Sequence, residues 1–240
     1  MAVKKVLVCW AGQMAYGQAW AWQQRLQALR RREGVPDLLL LLEHPPTYTC
    51  GRATRPEHLP ADEAALTRRG IALFSIERGG SITYHGPGQL VGYPILALHP
   101  PERDVHLYIR RLEEVLIRAL SGFGLQARAR PGLTGVWIGG KKIAAIGIHV
   151  RHWVTMHGFA LNVCPDLEYF RDILPCGLDS RVVTSMAELL PASPALEQLG
   201  REVAERFAEV FGCAWKAIAP ESLPALASVP GDVADPGRNF

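Results

Sequence analysis

Short apolar runs divided by turn residues are the main pattern in the first half of the chain. KKVLVCW (4–10) predicts a first strand, and DLLLLLEH (37–44) is a continuous apolar run typical of a strand buried on both faces. IALFSIE (71–77) and QLVGYPILAL (89–98) predict two further strands. The intervening PPTYTCGR (45–52) contains two prolines, and we interpret it as a turn.

The second half contains a longer strand pair. TGVWIGGKKIAAIGIHVR and WVTMHGFALNV predict paired strands, with a turn at Gly139–Gly140 just before two lysines. On KKIAAIGIH, strict alternation would put Lys142 on one face with Ala144, and Lys141 on the other. Both faces are mostly apolar, so periodicity alone does not say which lysine faces a site.

Helical periodicity occurs in three places. The predicted helices span 16–34, 104–124 and 193–212. Asp104 is placed to cap the second helix, and Ser193 followed by Pro194 is placed to begin the third. Gly34, Gly124 and Gly212 stand where helices usually stop.

The order of these elements indicates the fold class. Strands outnumber helices and do not alternate with them regularly, which predicts an α+β fold with mixed or antiparallel sheets flanked by helices. At 240 residues, one large domain is expected over 1–219. From 220 to 240 Pro, Gly, Ala and Ser dominate, so this segment is expected to be a loosely docked C-terminal tail.

Charge and cysteine content narrow the function classes. The net charge of +3 and pI of about 8.7 are too weakly basic to indicate nucleic-acid binding, but they suit an acidic protein partner. Five cysteines without CxxC spacing argue against a disulfide framework and a thiolate zinc site, and fit a reducing cytoplasm. Cys9 and Cys164 lie in apolar runs, as core cysteines do.

No targeting or membrane segment is expected. The apolar run of MAVKKVLVCWAG is too short for a signal peptide, and LLLLLE (38–43) is too short to span a bilayer.

The stretch RGGSITYHGPGQLVGYPI (78–95) holds five glycines and matches neither phosphate-binding fingerprint. Glycine loses more conformational entropy on folding than any other residue, so a cluster of it needs a reason. Two remain open from the residues alone: a set of hairpin turns, or a loop laid against an uncharged part of a ligand.

Cys176 lies between Pro and Gly in LPCGLDSR (174–181), a composition typical of a turn, which favours an accessible thiol. An ordinary thiol is only a few per cent thiolate at neutral pH, so a nucleophilic role requires a cationic neighbour. The candidates are two lysines and four histidines: Lys141, Lys142, His85, His149, His152 and His157. His149 and His152 point to opposite faces of a strand, so no metal site is predicted there.

Four motifs together resemble the lipoyl(octanoyl) transferases, a family with the biotin/lipoate ligase fold. The motifs are RGGSITYHGPGQLVGYPI, GVWIGGKKIAAIGIHV, TMHGFALNV and LPCGL, and the similarity runs in order from Val6 to Phe211. The resemblance implies an acyltransferase that moves an octanoyl group from acyl carrier protein to a cysteine. The group then passes to a specific lysine of a lipoyl domain, in 2-oxoacid dehydrogenase complexes or in the glycine cleavage H protein.

The resemblance also implies roles for particular residues. Cys176 is the implied nucleophile, and Lys142, rather than Lys141, is its partner. The acyl site would comprise Arg78, Gly79, Gly80, Ser81, Ile82, Thr83, Tyr84, His85, Ala145, Ile146, Gly147, Gly158, Phe159 and Ala160. No metal or cofactor is implied, because a thioester is already activated. Small residues and bare backbone in these motifs suit an apolar chain.

Two alternatives stay open. An ATP-dependent lipoate or biotin ligase would share the fold but would not need a nucleophilic cysteine, and an inactive acyl-binding scaffold would bind without turnover. For docking of an acidic carrier protein, nearness to the motifs singles out Arg52, Arg55 and Arg181.

Overall fold

The computed structural model describes residues 4–32, 34–59, 62–174 and 182–226. In these ranges the strands are β1 (Lys4–Gln13), β2 (Asp37–Glu43), β3 (Thr47–Cys50), β4 (Ala72–Ser75), β5 (Ile82–His85), β6 (Gln89–Ile95), β7 (Arg128–Arg130), β8 (Leu133–Ile138), β9 (Lys141–Arg151), β10 (Val154–Asn162) and β11 (Cys213–Ile218). The helices are α1 (Tyr16–Arg31), α2 (Glu63–Arg68), α3 (Val105–Ser121), α4 (Met186–Leu189), α5 (Leu196–Phe211) and α6 (Ser222–Leu226), with 3₁₀ turns at Pro56–His58 and Leu167–Asp172.

The strands form two sheets. The large sheet has the order β11-β1-β2-β6-β10-β9-β8-β7, and the small sheet has the order β4-β3-β5. Strand β1 is parallel to both β2 and β11, and β3 is parallel to β4, whereas the other neighbours are antiparallel. The predicted α+β fold with mixed sheets is therefore confirmed.

Apolar side chains fill both faces of the large sheet. Helices α3 and α5 pack on one face through a cluster that includes Leu116 and Phe207, and α1 packs on the other. A third cluster lies around the small sheet. Helix α6 belongs to the region expected to be a tail, yet its Leu223 is only 1% exposed and packs in the α1 cluster. The beginning of that region is thus docked; the boundary at 219/220 stays a prediction, and 227–240 lie outside the described residues.

The helix predictions differ from the structure mainly at their ends. Asp104 caps α3 as predicted, since its carboxylate accepts hydrogen bonds from the backbone N–H groups of His106 and Leu107. The predicted start at Ser193 was wrong: α5 begins at Leu196 after Ala195, which has extended backbone angles and no side-chain cap. An extended residue cannot continue a helix backwards.

Two strand predictions also changed. TYTC, interpreted as part of a turn, is strand β3 at the centre of the small sheet. The prolines before it end the preceding segment, while its Thr and Tyr residues favour extended backbone. Cys164 follows β10 and is exposed, so placing it in the core was wrong, whereas Cys9 is fully buried.

The β8–β9 hairpin carries the paired lysines. Gly139 and Gly140 both have positive φ, which confirms the predicted turn. Pairing steps from Val136 opposite Ala144 to Trp137 opposite Lys142, so β9 has one extra residue there, a β-bulge. The bulge interrupts strict alternation along β9, so alternation no longer supports the expectation that Lys142 and Ala144 share a face.

Candidate active site

A cavity of about 440 Å³ lies between the large sheet and the small sheet. Strands β9 and β10 supply one wall, and the glycine-rich segment with β5 supplies another. Its volume falls in the range of about 300–1,000 Å³ typical of small-molecule sites. Most of the surface is apolar, and the β9 wall runs from Lys142 at one end to Ile148, the residue paired with His157, at the other.

The loop before β5 lies directly on β9. The backbone N–H of Gly79 donates to the carbonyl oxygen of Ile148 at 2.9 Å, and a Cβ on Gly147 would lie 3.0 Å from both the Gly79 carbonyl oxygen and Arg78 Cδ. Gly80 has φ +84°, which an L side chain rarely adopts. These glycines therefore serve close backbone approach beside the cavity as well as turning the chain.

Arg78 crosses this loop and is only 7% exposed. Its guanidinium donates to the Thr49 carbonyl oxygen at 2.6 Å, to Thr49 Oγ1 at 2.9 Å and to the Gly79 carbonyl oxygen at 3.0 Å. Three fixed donors hold the side chain in one place. The predicted site arginine thus ties the glycine-rich loop to the small sheet and lines the cavity.

At one end of the cavity, here called the closed end, the side chains of Tyr16, His85, Tyr93 and His157 line the wall, and each is under 10% exposed. His44 lies behind Tyr93, with its Nε2 2.7 Å from the Tyr93 hydroxyl and its Nδ1 2.7 Å from the Met14 carbonyl oxygen. Since a carbonyl oxygen only accepts, Nδ1 carries the proton and the Tyr93 hydroxyl donates to Nε2.

The histidines at the closed end are held neutral. Burial lowers the pKa of His44 to about 4, and burial together with nearby His44 and Arg78 holds the pKa of His85 well below its usual value. Burial also lowers the pKa of His157, although Glu77, whose Oε1 lies 3.7 Å from His157 Nε2, opposes that change. These imidazoles do not supply the cation that a thiolate needs at neutral pH.

His149 and His152 offer no better candidates. His149 is half-buried with Nδ1 3.3 Å from the Glu77 carbonyl oxygen, and His152 lies in the exposed turn between β9 and β10 with φ +50°. Among the described residues, no group of three or more His, Cys, Asp or Glu side chains is arranged to hold a metal ion.

Lys142 lies at the other end, here called the open end. It is half-buried, lines the cavity, and has its Nζ 4.9 Å from the centre of the Trp137 ring. Such a contact is a cation–π geometry, which suits a charged ammonium. Lys141 is exposed and has its Nζ 3.7 Å from Glu188 Oε2.

Cys176 lies outside the described residues, as does Arg181. The chain on either side is fixed: the Leu174 N–H donates to the His58 carbonyl oxygen at 3.0 Å, and the Thr184 N–H donates to the Lys142 carbonyl oxygen at 3.0 Å. Val183 and Lys142 form a parallel β-bridge. The backbone of Lys142 is therefore hydrogen-bonded directly to the segment that follows LPCGLDSR.

Three of the other cysteines have thiols that resist ionisation. Burial raises the pKa of Cys9 to about 11 and raises the pKa values of Cys50 and Cys213 above their usual range. A raised pKa lowers the thiolate fraction at neutral pH, so these three are poor nucleophiles.

The structure gathers nearly all of the predicted acyl-site residues around the one cavity. Those lining it, besides Lys142, are Arg78, Gly79, Gly80, Ser81, Ile82, Thr83, His85, Ala145, Ile146, Gly147, Gly158, Phe159 and Ala160. Tyr84 is not among the lining residues: its ring stacks on Tyr169 and contacts Tyr48 and Phe170 in the small-sheet core. Whether the lining residues bind an acyl chain stays a prediction.

Sequence reasoning missed several residues at the cavity wall, among them Tyr16, Gln89, Tyr93 and Asn162. Gln89 and Asn162 carried a usable signal, because each ends an otherwise buried strand and a buried polar group needs a partner. Tyr16 and Tyr93 carried none, since their neighbours come from distant parts of the chain.

No helix in the described ranges combines the length and apolar character needed to cross a bilayer.

Comparison with known proteins agrees with the geometry. Residues 15–208 match the model of the lipoyl protein ligase A/B catalytic domain. An octanoyltransferase of Gloeobacter violaceus is 52% identical over 84% of this chain and 88% of its own length, and one of Synechococcus elongatus is 46% identical over 97% and 100%.

Among solved structures, the bipartite lipoate protein ligase of Thermoplasma acidophilum superposes with a TM-score of 0.74 at 18% identity, covering 94% of this chain and 91% of that one. Identity this low establishes the biotin/lipoate ligase-like fold alone. The sequence relatives establish the family as well, since about half of the aligned residues are identical over most of both chains. With its cavity, its motif order and these relatives, the chain belongs to the octanoyltransferase family of the lipoyl protein ligase A/B catalytic domain.

Proposed function

We propose that this protein is an acyltransferase that moves an octanoyl group onto a lysine of a lipoyl domain through a thioester on Cys176. The observation that carries the proposal is the position of Lys142, at the open end of an apolar cavity and hydrogen-bonded to the segment that follows the LPCGL motif. Octanoyltransferases make up the similar sequences, and octanoyl transfer is the activity that their names print.

The cavity suits an apolar acyl chain. Its walls are largely uncharged, with Ala145, Gly147 and Ala160 offering small side chains or none. Burial of an alkyl chain contributes about 0.8 kcal/mol per CH₂, so a chain of this size gains its affinity without charged contacts. The carboxyl end, where chemistry occurs, would then lie near Lys142.

The reaction has two acyl transfers. In the first, the Cys176 thiolate attacks the thioester carbonyl of octanoyl-acyl carrier protein, a C–S bond forms, and the carrier thiol leaves and takes up a proton. In the second, the ε-amine of the acceptor lysine attacks the new thioester; the C–S bond breaks, an amide forms, and Cys176 leaves as the thiolate while the amine loses a proton. No ATP, metal or cofactor is consumed, because each thioester is already activated.

Lys142 would assist both transfers. An ammonium about 4 Å from a thiolate gains roughly 4 kcal/mol at an effective dielectric near 20, before the cost of desolvation. That gain favours ionisation of Cys176 in the first transfer. Once Cys176 is acylated the negative charge is gone, so Lys142 holds its proton less tightly and gives it to the departing carrier thiolate. The neutral amine of Lys142 then accepts a proton from the attacking lysine, which restores the ammonium as Cys176 leaves as the thiolate.

The partners follow from the same proposal. The donor is octanoyl-acyl carrier protein, and the acceptors are lipoyl domains of 2-oxoacid dehydrogenase complexes and the glycine cleavage H protein. Both kinds of partner would be met in the cytoplasm, where the cysteines stay reduced.

An ATP-dependent lipoate or biotin ligase is less well supported. The solved lipoate ligases share the fold at low identity, whereas the relatives at about half identity are octanoyltransferases. Transfer from an octanoyl thioester in the absence of ATP would separate the two activities, and it would also exclude an inactive acyl-binding scaffold.

The direct test is intact-mass analysis after mixing the protein with octanoyl-acyl carrier protein. We expect one added octanoyl mass, mapped by peptide analysis to residues 174–181, and loss of both adduct and transfer in Cys176→Ala. Cys164→Ala is the control, because Cys164 is the exposed cysteine among the described residues and its removal should change neither. An adduct on any cysteine other than Cys176 would contradict the proposal.

A further inference from the structure

A continuous set of buried hydrogen bonds runs along the cavity wall from His85 to the segment bonded to Lys142. His85 Nδ1 lies 2.9 Å from Gln89 Oε1, and Gln89 Nε2 lies 2.9 Å from Asn162 Oδ1 and 3.2 Å from the Tyr84 carbonyl oxygen. Asn162 Nδ2 lies 3.0 Å from the carbonyl oxygen of Thr184. The His85, Gln89, Asn162 and Thr184 residues are all under 10% exposed.

Two backbone carbonyls fix the direction of every bond in this set. A carbonyl oxygen only accepts, so the amide nitrogens of Gln89 and Asn162 must face Tyr84 and Thr184, and their amide oxygens face the other way. Gln89 Oε1 must then accept from His85 Nδ1–H. His85 is thereby held in one tautomer, with Nε2 unprotonated, which agrees with its depressed pKa.

Thr184 is the point at which this set reaches Lys142. Its carbonyl oxygen accepts from Asn162, its N–H donates to the Lys142 carbonyl oxygen, and its hydroxyl donates to Glu188 Oε2 at 2.7 Å. Asn162 and Gln89 are also a directly opposed pair across β10 and β6, so the sheet itself places them. One asparagine amide thus joins a strand end, the cavity wall and the segment that follows the LPCGL motif.

We propose that Asn162 is a positioning residue for acyl transfer, because its donation to Thr184 holds the 182–184 segment against the backbone of Lys142. The inference rests on the proposed function, in which Cys176 and Lys142 act together. It assigns to Asn162 the geometry of that pair rather than contact with the reacting atoms. Removing this buried donor leaves the Thr184 carbonyl oxygen unsatisfied and weakens the contact of the segment with Lys142.

The test uses Asn162→Asp, which keeps the shape and the acceptor for Gln89 but removes the donor to Thr184. Gln27→Glu is the matched control, because Gln27 is also buried and its Nε2 donates to the Val154 carbonyl oxygen at 2.9 Å. This bond does not involve a residue that lines the cavity. For N162D we expect the turnover rate to fall about tenfold, with the KM for octanoyl donor nearly unchanged. The pH midpoint for alkylation of Cys176 by iodoacetamide should rise, whereas Q27E should change neither quantity.

Hydrogen exchange at the Thr184 amide gives a readout that does not depend on activity. We expect exchange to become about tenfold faster in N162D and to stay unchanged in Q27E. The inference would be overturned if the Thr184 amide in N162D exchanged as slowly as in the wild-type protein. It would also be overturned if exchange became faster while the turnover rate and the alkylation profile stayed at their wild-type values. Failure of the wild-type protein to form an adduct on Cys176 would instead overturn the proposed function, and the Thr184 exchange would still show whether Asn162 holds the segment.

Discussion

The two ends of the cavity differ in how deeply their side chains are buried. At the closed end, buried histidines and tyrosines are neutral, with pKa values moved away from pH 7 by burial. At the open end Lys142 is half-buried and Thr134 is exposed. In the proposed reaction, an acyl chain would enter past Lys142 and end among neutral buried groups, so chain binding and proton transfer would be separated in space.

The largest effect should come from changing the charge-bearing group at the open end. Lys142→Arg keeps a cation but cannot release a proton, so we expect slow acylation of Cys176 and almost complete loss of transfer to the lipoyl domain. Single-turnover assays of each half-reaction measure the two steps separately. Lys141→Arg is the matched control, and we expect it to be nearly silent. If K141R lost transfer and K142R did not, the partner role would belong to Lys141.

Filling the space between the ends should have the next largest effect. Gly147→Val places a branched side chain where a Cβ is already 3.0 Å from Arg78 Cδ and the Gly79 carbonyl oxygen. We expect the preferred acyl chain to shorten or transfer to stop, because the loop must shift into the cavity. Rates with four-, six- and eight-carbon thioesters measure this, alongside circular dichroism to verify folding. Gly34→Ala is the control, because an added Cβ there meets only ordinary contacts and Gly34 does not have a positive φ. An unchanged eight-carbon preference in G147V would remove Gly147 from the acyl site.

Changes at the closed end should affect the free energy of unfolding more than the rate of transfer. His44 titrates near pH 6.5 when unfolded and near pH 4 when folded, so below pH 6.5 the unfolded chain binds protons that the folded chain excludes. The free energy of unfolding should fall as pH drops from 7 to 4, by up to about 3 kcal/mol from this residue. His85 and His157 act in the same direction.

Thermal denaturation from pH 7 to pH 4 checks this expectation. His44→Gln should flatten the pH dependence, although it lowers stability at pH 7 by removing a buried hydrogen bond. His106→Gln, at an exposed position, should leave the curve unchanged. A wild-type pH dependence in H44Q would mean that His44 is not held neutral by the fold.

The smallest effect should come from the surface around the open end. Raising salt should weaken apparent affinity for the acidic carrier protein more than it slows reaction with a small octanoyl thioester, because exposed charges are screened over roughly 8 Å at physiological ionic strength. The exposed arginines Arg52 and Arg55 are candidates for this steering. A ratio of KM values between 50 and 300 mM salt measures it, and equal salt effects on both substrates would count against docking by charge.

The sequence was informative where the signal is local. Element order, turn glycines and the Asp104 cap predicted the fold class, the β9–β10 pairing and the start of α3. The resemblance to the lipoyl(octanoyl) transferases led to residues that now line one cavity. The His44–Tyr93 and Arg78–Thr49 hydrogen bonds join residues that lie 49 and 29 positions apart in the chain. No pattern of neighbouring residues encodes such contacts, so sequence reasoning missed them.

The pairing of β11 with β1 has a consequence for synthesis of the protein. Strand β1 lies between β2 and β11, so one of its edges stays open until residues 213–218 have been made. At about 5–20 residues per second, that delay is roughly 10–40 s after β1 leaves the ribosome. An unpaired edge is a template for association with other chains, so the nascent protein passes through a period in which its first strand needs protection.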